Sequence, residues 1–146
     1  MSERFLLTPD ETRAVRAGRW VRVDLGKYVE IACGRTRSVL VGVARGKVTA
    51  WANACLHQPL PLDVAHDPEW IAPGVRAAPM DEKRVHLICH SHGAVYRTSD
   101  GYCLSGPCDG QRLVQFAVSQ SGAGDERDEL GVSPPDEPGD EDPEVG

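Results

Sequence analysis

No apolar run in this 146-residue chain approaches the length of a membrane span. Phe5-Leu6-Leu7 is too short for the core of a secretory signal, and Glu3 and Thr8-Pro9-Asp10-Glu11 flank it. The expectation is a cytoplasmic protein with no membrane insertion. A concentrated basic patch is also missing. The formal charge is −6, and residues 121–146 hold ten acidic residues against the single Arg127. The first 120 residues hold 15 Lys/Arg and 12 Asp/Glu, a balance of +3. That is too weak for a nucleic-acid binder. Cysteines are few, at positions 33, 55, 89, 103 and 108. In a cytosolic chain they point to metal ligands or reduced thiols before disulfides.

Against this background two stretches stand out, Cys55-Leu56-His57 and Cys89-His90-Ser91-His92-Gly93. Each holds a thiol and an imidazole close together, as Cys-x-His and Cys-x-x-His. Two such pairs supply four soft or borderline ligands, enough to close a metal site. The mixture within each arm is the informative part. In a [2Fe–2S] centre with two thiolates on one iron and two imidazoles on the other, each arm can give its Cys to one iron and its His to the other. A structural Cys2His2 zinc site is the rival from another class. Cys-x-His is tighter than the usual two to four residues between zinc-finger ligands.

The rest reads as scaffold, and the length suits one domain with a real core. Residues 1–7 look like a loose start. Thr8-Pro9-Asp10-Glu11 is a capping box with Pro at N1, and a short helix to about Ala17 follows, with Gly18 able to stop it. From Trp20 the pattern is strands: Trp20 to Val23, a Gly26-Lys27 turn, Tyr28 to Cys33, Ser38 to Ala44, an Arg45-Gly46-Lys47 connection, and Val48 to Ala52. Cys33 reads as a core or edge thiol. The last of these strands runs into Cys55, and Val85 to Ile88 runs into Cys89. Strands at Ala94 to Arg97, Tyr102 to Leu104 and Leu113 to Val118 complete the set, with a turn at Thr98–Gly101 and a tight loop at Ser105–Cys108. Short strands between Gly and charged turns indicate an all-β fold, a small antiparallel β sandwich or barrel. From Ser121 the composition collapses into Gly, Pro, Asp and Glu, too poor in apolar surface to offset chain entropy. The expected division is an N-terminal segment 1–19 with a short helix, a domain 20–120, and a disordered acidic tail 121–146. That tail reads as a solubilising segment, with a docking arm over the basic domain as the sharper alternative.

Cys55-x-His57 and Cys89-x-x-His92-Gly93, followed by Tyr96, Gly101 and Gly106-Pro107, resemble the Rieske iron–sulfur family, in particular its soluble ferredoxin-like members. The resemblance covers roughly residues 20–118. It implies an antiparallel β fold with a small cluster-binding subdomain and one [2Fe–2S] cluster per chain. It also implies that Cys55 and Cys89 bind the inner iron, and that His57 and His92 bind the outer iron and face solvent. Gly106-Pro107 matches a third loop that covers the cluster. His90 does not match the family pattern, so His92 is the assigned ligand; His66 and His86 read as ordinary histidines. The function this implies is one-electron transfer between redox proteins, from a reductase to a terminal oxygenase or other oxidoreductase, with no substrate converted by this chain. A cluster-bearing subunit of a larger oxidoreductase is the alternative. A terminal oxygenase would need a second domain with a two-His-one-carboxylate site, for which there is no room. A redox-sensing regulator would need a readout element, and none is evident.

Departures from the family carry information. The respiratory-chain branch ties its two loops with a disulfide, and the matching positions here are Leu60 and Ser91. That branch also has Ser and Tyr hydroxyls donating to the cluster; here the positions are Ala94 and Tyr96. Fewer donors should place the potential in the lower part of the Rieske range of about −150 to +300 mV. The gap between His57 and Cys89 is 31 residues, longer than usual for ferredoxin-like members. Within it, Ala65 to Arg84 reads as an irregular excursion, and Trp70-Ile71 is expected to pack on the domain. Cys103 and Cys108 are close enough in sequence to pair or to remain thiols near the cluster.

Overall fold

The computed structural model describes residues 3–32, 34–55, 60–63, 68–90, 93–106, 110–122 and 127–135. Among these, every strand pairing is antiparallel. The chain starts with β1 (Phe5–Leu6) and α1 (Pro9–Arg16). The helix begins where its sequence says it should. The Thr8 hydroxyl accepts from the Glu11 N–H (3.1 Å), and the Glu11 carboxylate accepts from the Thr8 N–H (2.9 Å). Burial pushes the Glu11 carboxyl up, against the lowering effect of its bonds to Thr8.

The long strands β2 (Val21–Ile31) and β3 (Gly34–Ala44) pair along most of their length, and β4 (Lys47–Ala52) returns beside β3. The Gly26-Lys27 turn expected from sequence is instead a bulge inside β2, where the register slips between Asp24 and Val29. Gly26 takes a φ of 81°, a left-handed conformation that glycine adopts freely, within the stretch where β2 advances five residues against two on β3. Next come the hairpin β5 (Trp70–Ala72) and β6 (Val75–Ala77), then β7 (His86–Ile88), β8 (Val95–Arg97), β9 (Cys103–Ser105), β10 (Gln115–Ser121) and β11 (Glu129–Ser133). The main sheet has the order β1-β11-β10-β4-β3-β2-β6-β5, and β7-β8-β9 form a separate three-stranded sheet.

Four further expectations need correction. The excursion between the two Cys/His stretches is not irregular throughout: β6 pairs with β2, so the hairpin extends the main sheet. Ile71 packs against the core, but Trp70 is 60% exposed at the sheet edge. The span expected to be a disordered tail contains β11, whose Leu130 and Val132 are buried between β10 and β1. The same pairing gives the supposedly loose start its strand β1. Residues 136–146 lie outside the described residues.

Strand alternation divides the buried residues into two cores. Val39, Val41, Ala50 and Ala52 join a core with Val15, Phe116 and Leu130. Leu40 and Trp51 join a second core with Leu62, Leu87, Cys89 and Tyr96. β3 is therefore buried on both faces, which explains its unbroken run Val39 to Val43. Gly42 leaves the space that the Trp20 indole fills, since a Cβ there would lie 2.1 Å from the ring. The second core joins the small sheet to the large one.

Candidate metal centre

β4 carries the first Cys/His arm. The Ala52 N–H donates to the Val114 carbonyl (2.8 Å) and the Asn53 N–H to the Ser38 carbonyl (3.0 Å), so the chain is held to within two residues of Cys55. The Cys55 N–H then donates to the Leu60 carbonyl (2.8 Å), closing the base of this loop. β7 carries the second arm. The Cys89 N–H donates to the Ala94 carbonyl (2.8 Å), and the Gly93 N–H to the Cys89 carbonyl (2.7 Å). The two loops are joined directly: the His90 N–H donates to the Leu62 carbonyl (2.8 Å).

Both thiols are buried, Cys55 at 1% exposure and Cys89 at 0%. They share one apolar core with Trp51, Leu62, Leu87 and Tyr96. The Tyr96 hydroxyl lies 3.6 Å from the Cys55 sulfur. Toward a thiolate, the hydroxyl is the donor. His57 and His92 lie outside the described residues, as do Cys33, His66, Pro107 and Cys108. Of the four expected ligands, the structure therefore brings the two cysteines into one core and leaves the two histidines undescribed. Cys103 belongs to the same core, and its thiol donates to the Ser105 carbonyl (3.3 Å). His86 accompanies Asp81, with its Nδ1 3.1 Å from a carboxylate oxygen, away from the thiols' core.

A buried polar network, missed from sequence, fixes the return of the first loop. Asp63 has only 2% of its side chain exposed. Both its oxygens accept from Arg22 Nη1 (2.9 Å), and Arg76 approaches to 3.5 Å from the β6 side. Asn53 donates to Asp63 (3.3 Å) and to the Ser38 hydroxyl (3.0 Å), and accepts the Leu62 N–H (2.8 Å). Leu62 is the residue whose carbonyl holds His90. A chain of contacts thus runs from the arginines of β2 and β6, through Asp63 and Asn53, to both loops. The only sequence signal was a lone acid in the apolar run Leu60-Pro61-Leu62-Asp63-Val64.

The third loop presses on the second. At Gly106 an added Cβ would lie 2.7 Å from the Ala94 Cα, and its φ is 110°. On the opposite side, the turn between β8 and β9 is stapled. Arg97 grips both oxygens of Asp100 (3.0 and 2.8 Å), and the Tyr102 N–H donates to the same carboxylate (3.0 Å). The Trp51 indole N–H donates to the Thr98 carbonyl (2.9 Å), tying this turn to β4. The Arg97 hydrogen bond holds the Asp100 carboxyl down at about 2. A carboxyl that titrates lower folded than unfolded stabilises above its unfolded value near 3.8, and that contribution fades as pH falls toward about 2. Asp100→Asn is accordingly expected to lower Tm at pH 7, with the difference from the parent shrinking in scans taken below pH 4. A Tm difference independent of pH would contradict this role.

The Rieske [2Fe-2S] domain model matches residues 14–118, well over half the chain. Comparison with curated proteins gives no match. Among solved structures, the carbazole-bound oxygenase variant and ferredoxin complex of carbazole 1,9a-dioxygenase aligns with a TM-score of 0.51 at 15% identity, covering 89% of this chain and 28% of that one. The terminal oxygenase of carbazole 1,9a-dioxygenase from Nocardioides aromaticivorans IC177 aligns at 0.43 and 18% identity, covering 88% and 34%. The same component from Novosphingobium sp. KA1 aligns at 0.42 and 21%, covering 88% and 36%. The chain thus spans about a third of the length of the chains it matches. The first likeness concerns the fold, mostly antiparallel sheet with one short helix among the described residues. The matched span encloses both buried thiols and the loops that carry them, and the chain belongs to the Rieske [2Fe–2S] domain family, whose domain carries a single cluster.

Proposed function

We propose that the chain is a one-electron carrier, taking an electron from a reductase and passing it to an oxygenase or another redox enzyme. In this reading Cys55 and Cys89 hold one iron of a [2Fe–2S] cluster, and His57 and His92 hold the other. The observation that carries it is the placement of Cys55 and Cys89 in one dry core, on loops joined by the His90–Leu62 hydrogen bond. That half of the donor set fits the group: buried thiolates are soft, anionic ligands suited to iron. When bound, the cluster supplies a centre that gains and loses one electron. The chain's own part is to shield and tune it. Leu62, Leu87 and Tyr96 exclude water around the thiols. The Tyr96 hydroxyl donates toward the Cys55 sulfur, while Ala94, also buried, offers a methyl and no second donor. Fewer donors leave more negative charge on the sulfurs and lower the potential.

No substrate is converted on this chain in this reading. No helix among the described residues is long and apolar enough to cross a membrane, which suits a cytoplasmic carrier. A second reading, a cluster-bearing component of a larger oxidoreductase, is favoured by one observation: the matching chains are about three times longer.

The purified chain is expected to be red-brown, with a reduced-state EPR signal of low average g. Voltammetry should place its potential in the lower part of about −150 to +300 mV. Cys89→Ser should lose colour and signal together. A colourless chain carrying one zinc ion would end the electron-carrier reading.

A further inference from the structure

One cleft beside the first loop is unused by this account. It has a volume of about 680 Å³ and lies between the start of β3 and the Leu60-Pro61 turn. Arg22, Arg35 and Arg37 line it. Arg35 and Arg37 both lie over the Tyr28 ring, at 4.3 and 5.5 Å from its centroid. Tyr28 is 54% exposed and Leu60 41%. Arg22 is committed to Asp63 and approaches Asp24 at 3.6 Å. Among the described residues, neither Arg35 nor Arg37 has a carboxylate within 4.0 Å. Glu30 is the single acid among the described lining residues, opposite Arg35 in the β2–β3 register. The cleft therefore carries two cations with one acid nearby.

The topology directs the C-terminal end of β11 toward this end of the molecule. β10 is antiparallel to β4, and β11 is antiparallel to β10, so β11 runs parallel to β4, toward the loops. Ser133 is level with Ala117. Two residues before Ala117 on β10, Gln115 pairs through Trp51 and Leu40 to Arg22. Residues 136–146 hold Asp136, Glu137, Asp140, Glu141, Asp142 and Glu144 and no Lys or Arg. From β11 to β3 is three strand spacings, about 14 Å. Arg37 and Arg35 lie about 10 and 17 Å beyond Leu40 along β3. Eleven residues span up to about 36 Å, so the reach is ample. Attachment to the same chain also gives the segment a local concentration of roughly millimolar order.

We propose that the acidic segment 136–146 is the occupant of the Tyr28/Arg35/Arg37 cleft and shields the edge of the first Cys/His loop electrostatically. Occupancy does not depend on the electron-carrier reading. The shielding half rests on it, because shielding matters only if an electron leaves there.

The two halves are tested separately on the full chain. For occupancy, the side-chain Nε–Hε NMR signals of Arg35 and Arg37 are compared between the parent and a variant with all six acids replaced by Asn or Gln. At about 20 mM salt the two signals should differ between the chains, and the difference should collapse in high salt, where the screening length falls to about 3 Å at 1 M. Arg13, on the exposed side of α1, should not move. Identical Arg35 and Arg37 signals in the two chains, or equal movement of Arg13, would overturn occupancy. Movement seen only on adding an acidic redox partner would do the same and assign the cleft to that partner. For shielding, the reduced chain is oxidised by ferricyanide, a small anion. The neutralised variant should react faster at low salt by about threefold or more, and Arg35→Gln/Arg37→Gln should remove that difference. Equal rates for parent and neutralised variant at low salt would overturn shielding.

Discussion

Asp63→Ala is expected to cost about 3–5 kcal/mol of folding free energy, the usual price of removing one partner from a buried ion pair. The reason lies in what is left behind. Arg22 has only 15% of its side chain exposed, and its Nε already has no hydrogen-bond partner in the described structure. Without Asp63 the guanidinium would keep only the largely exposed Asp24, 3.6 Å away, as a counter-charge among the described residues. Asn53 would lose one acceptor while still holding the Leu62 N–H. The expected damage is therefore to the loops as well as to global stability. Urea denaturation measures the first, and the half-life of the visible colour at 25 °C measures the second. Asp63→Asn keeps the shape and one acceptor oxygen, so it should fall between the parent and Asp63→Ala on both. A cost below about 1 kcal/mol for Asp63→Ala would show that the network is a solvated cluster and not a clamp.

Gly106→Ala is the second large effect, expected at about 1–3 kcal/mol from overpacking and backbone strain together. The added methyl would meet the Ala94 Cα at 2.7 Å and the Ala94 nitrogen at 3.2 Å. These are backbone atoms, so no side-chain rotation relieves the clash. A φ of 110° is also outside what an L side chain adopts easily. Relief requires the third loop to back away from the second, whose Ala94 carbonyl holds the Cys89 N–H. The sensitive readout is the reduced-state EPR line shape, which should broaden or shift even at temperatures where the variant is fully folded. An unchanged spectrum with unchanged Tm would mean that the loop slides at no cost.

Parts of the fold around the site were legible in the sequence. The capping box at Thr8 and the strands entering Cys55 and Cys89 were written in local signals, and local signals are what a single sequence displays. The misses share a physical cause, which is pairing decided at a distance. Leu130-Gly131-Val132 sits in a stretch too polar to fold alone, but it becomes a strand because β10 and β1 flank it. The stretch around Pro73-Gly74 reads as irregular from sequence, because only the edge of β2 makes the flanks of that turn into a hairpin. Gly26-Lys27 looked like a turn because glycine serves bulges and turns alike. Trp70 was expected to pack by its size, but it lies on the edge strand, beyond which no further strand is found among the described residues. The pairing of Asp63 with Arg22 spans 41 positions, and no local pattern announces it.

The link between the two Cys/His loops has a chemical consequence. Where relatives in the respiratory branch join these loops by a sulfur–sulfur bond, this chain joins them through a backbone amide of His90 and a backbone carbonyl of Leu62. Thiol exchange has no purchase on such a link, so glutathione or dithiothreitol leaves it intact at any ratio of reduced to oxidised form. Neither side chain makes the link; the Leu62 side chain is instead buried in the second core. A sulfur–sulfur brace at the same place would open under such reductants.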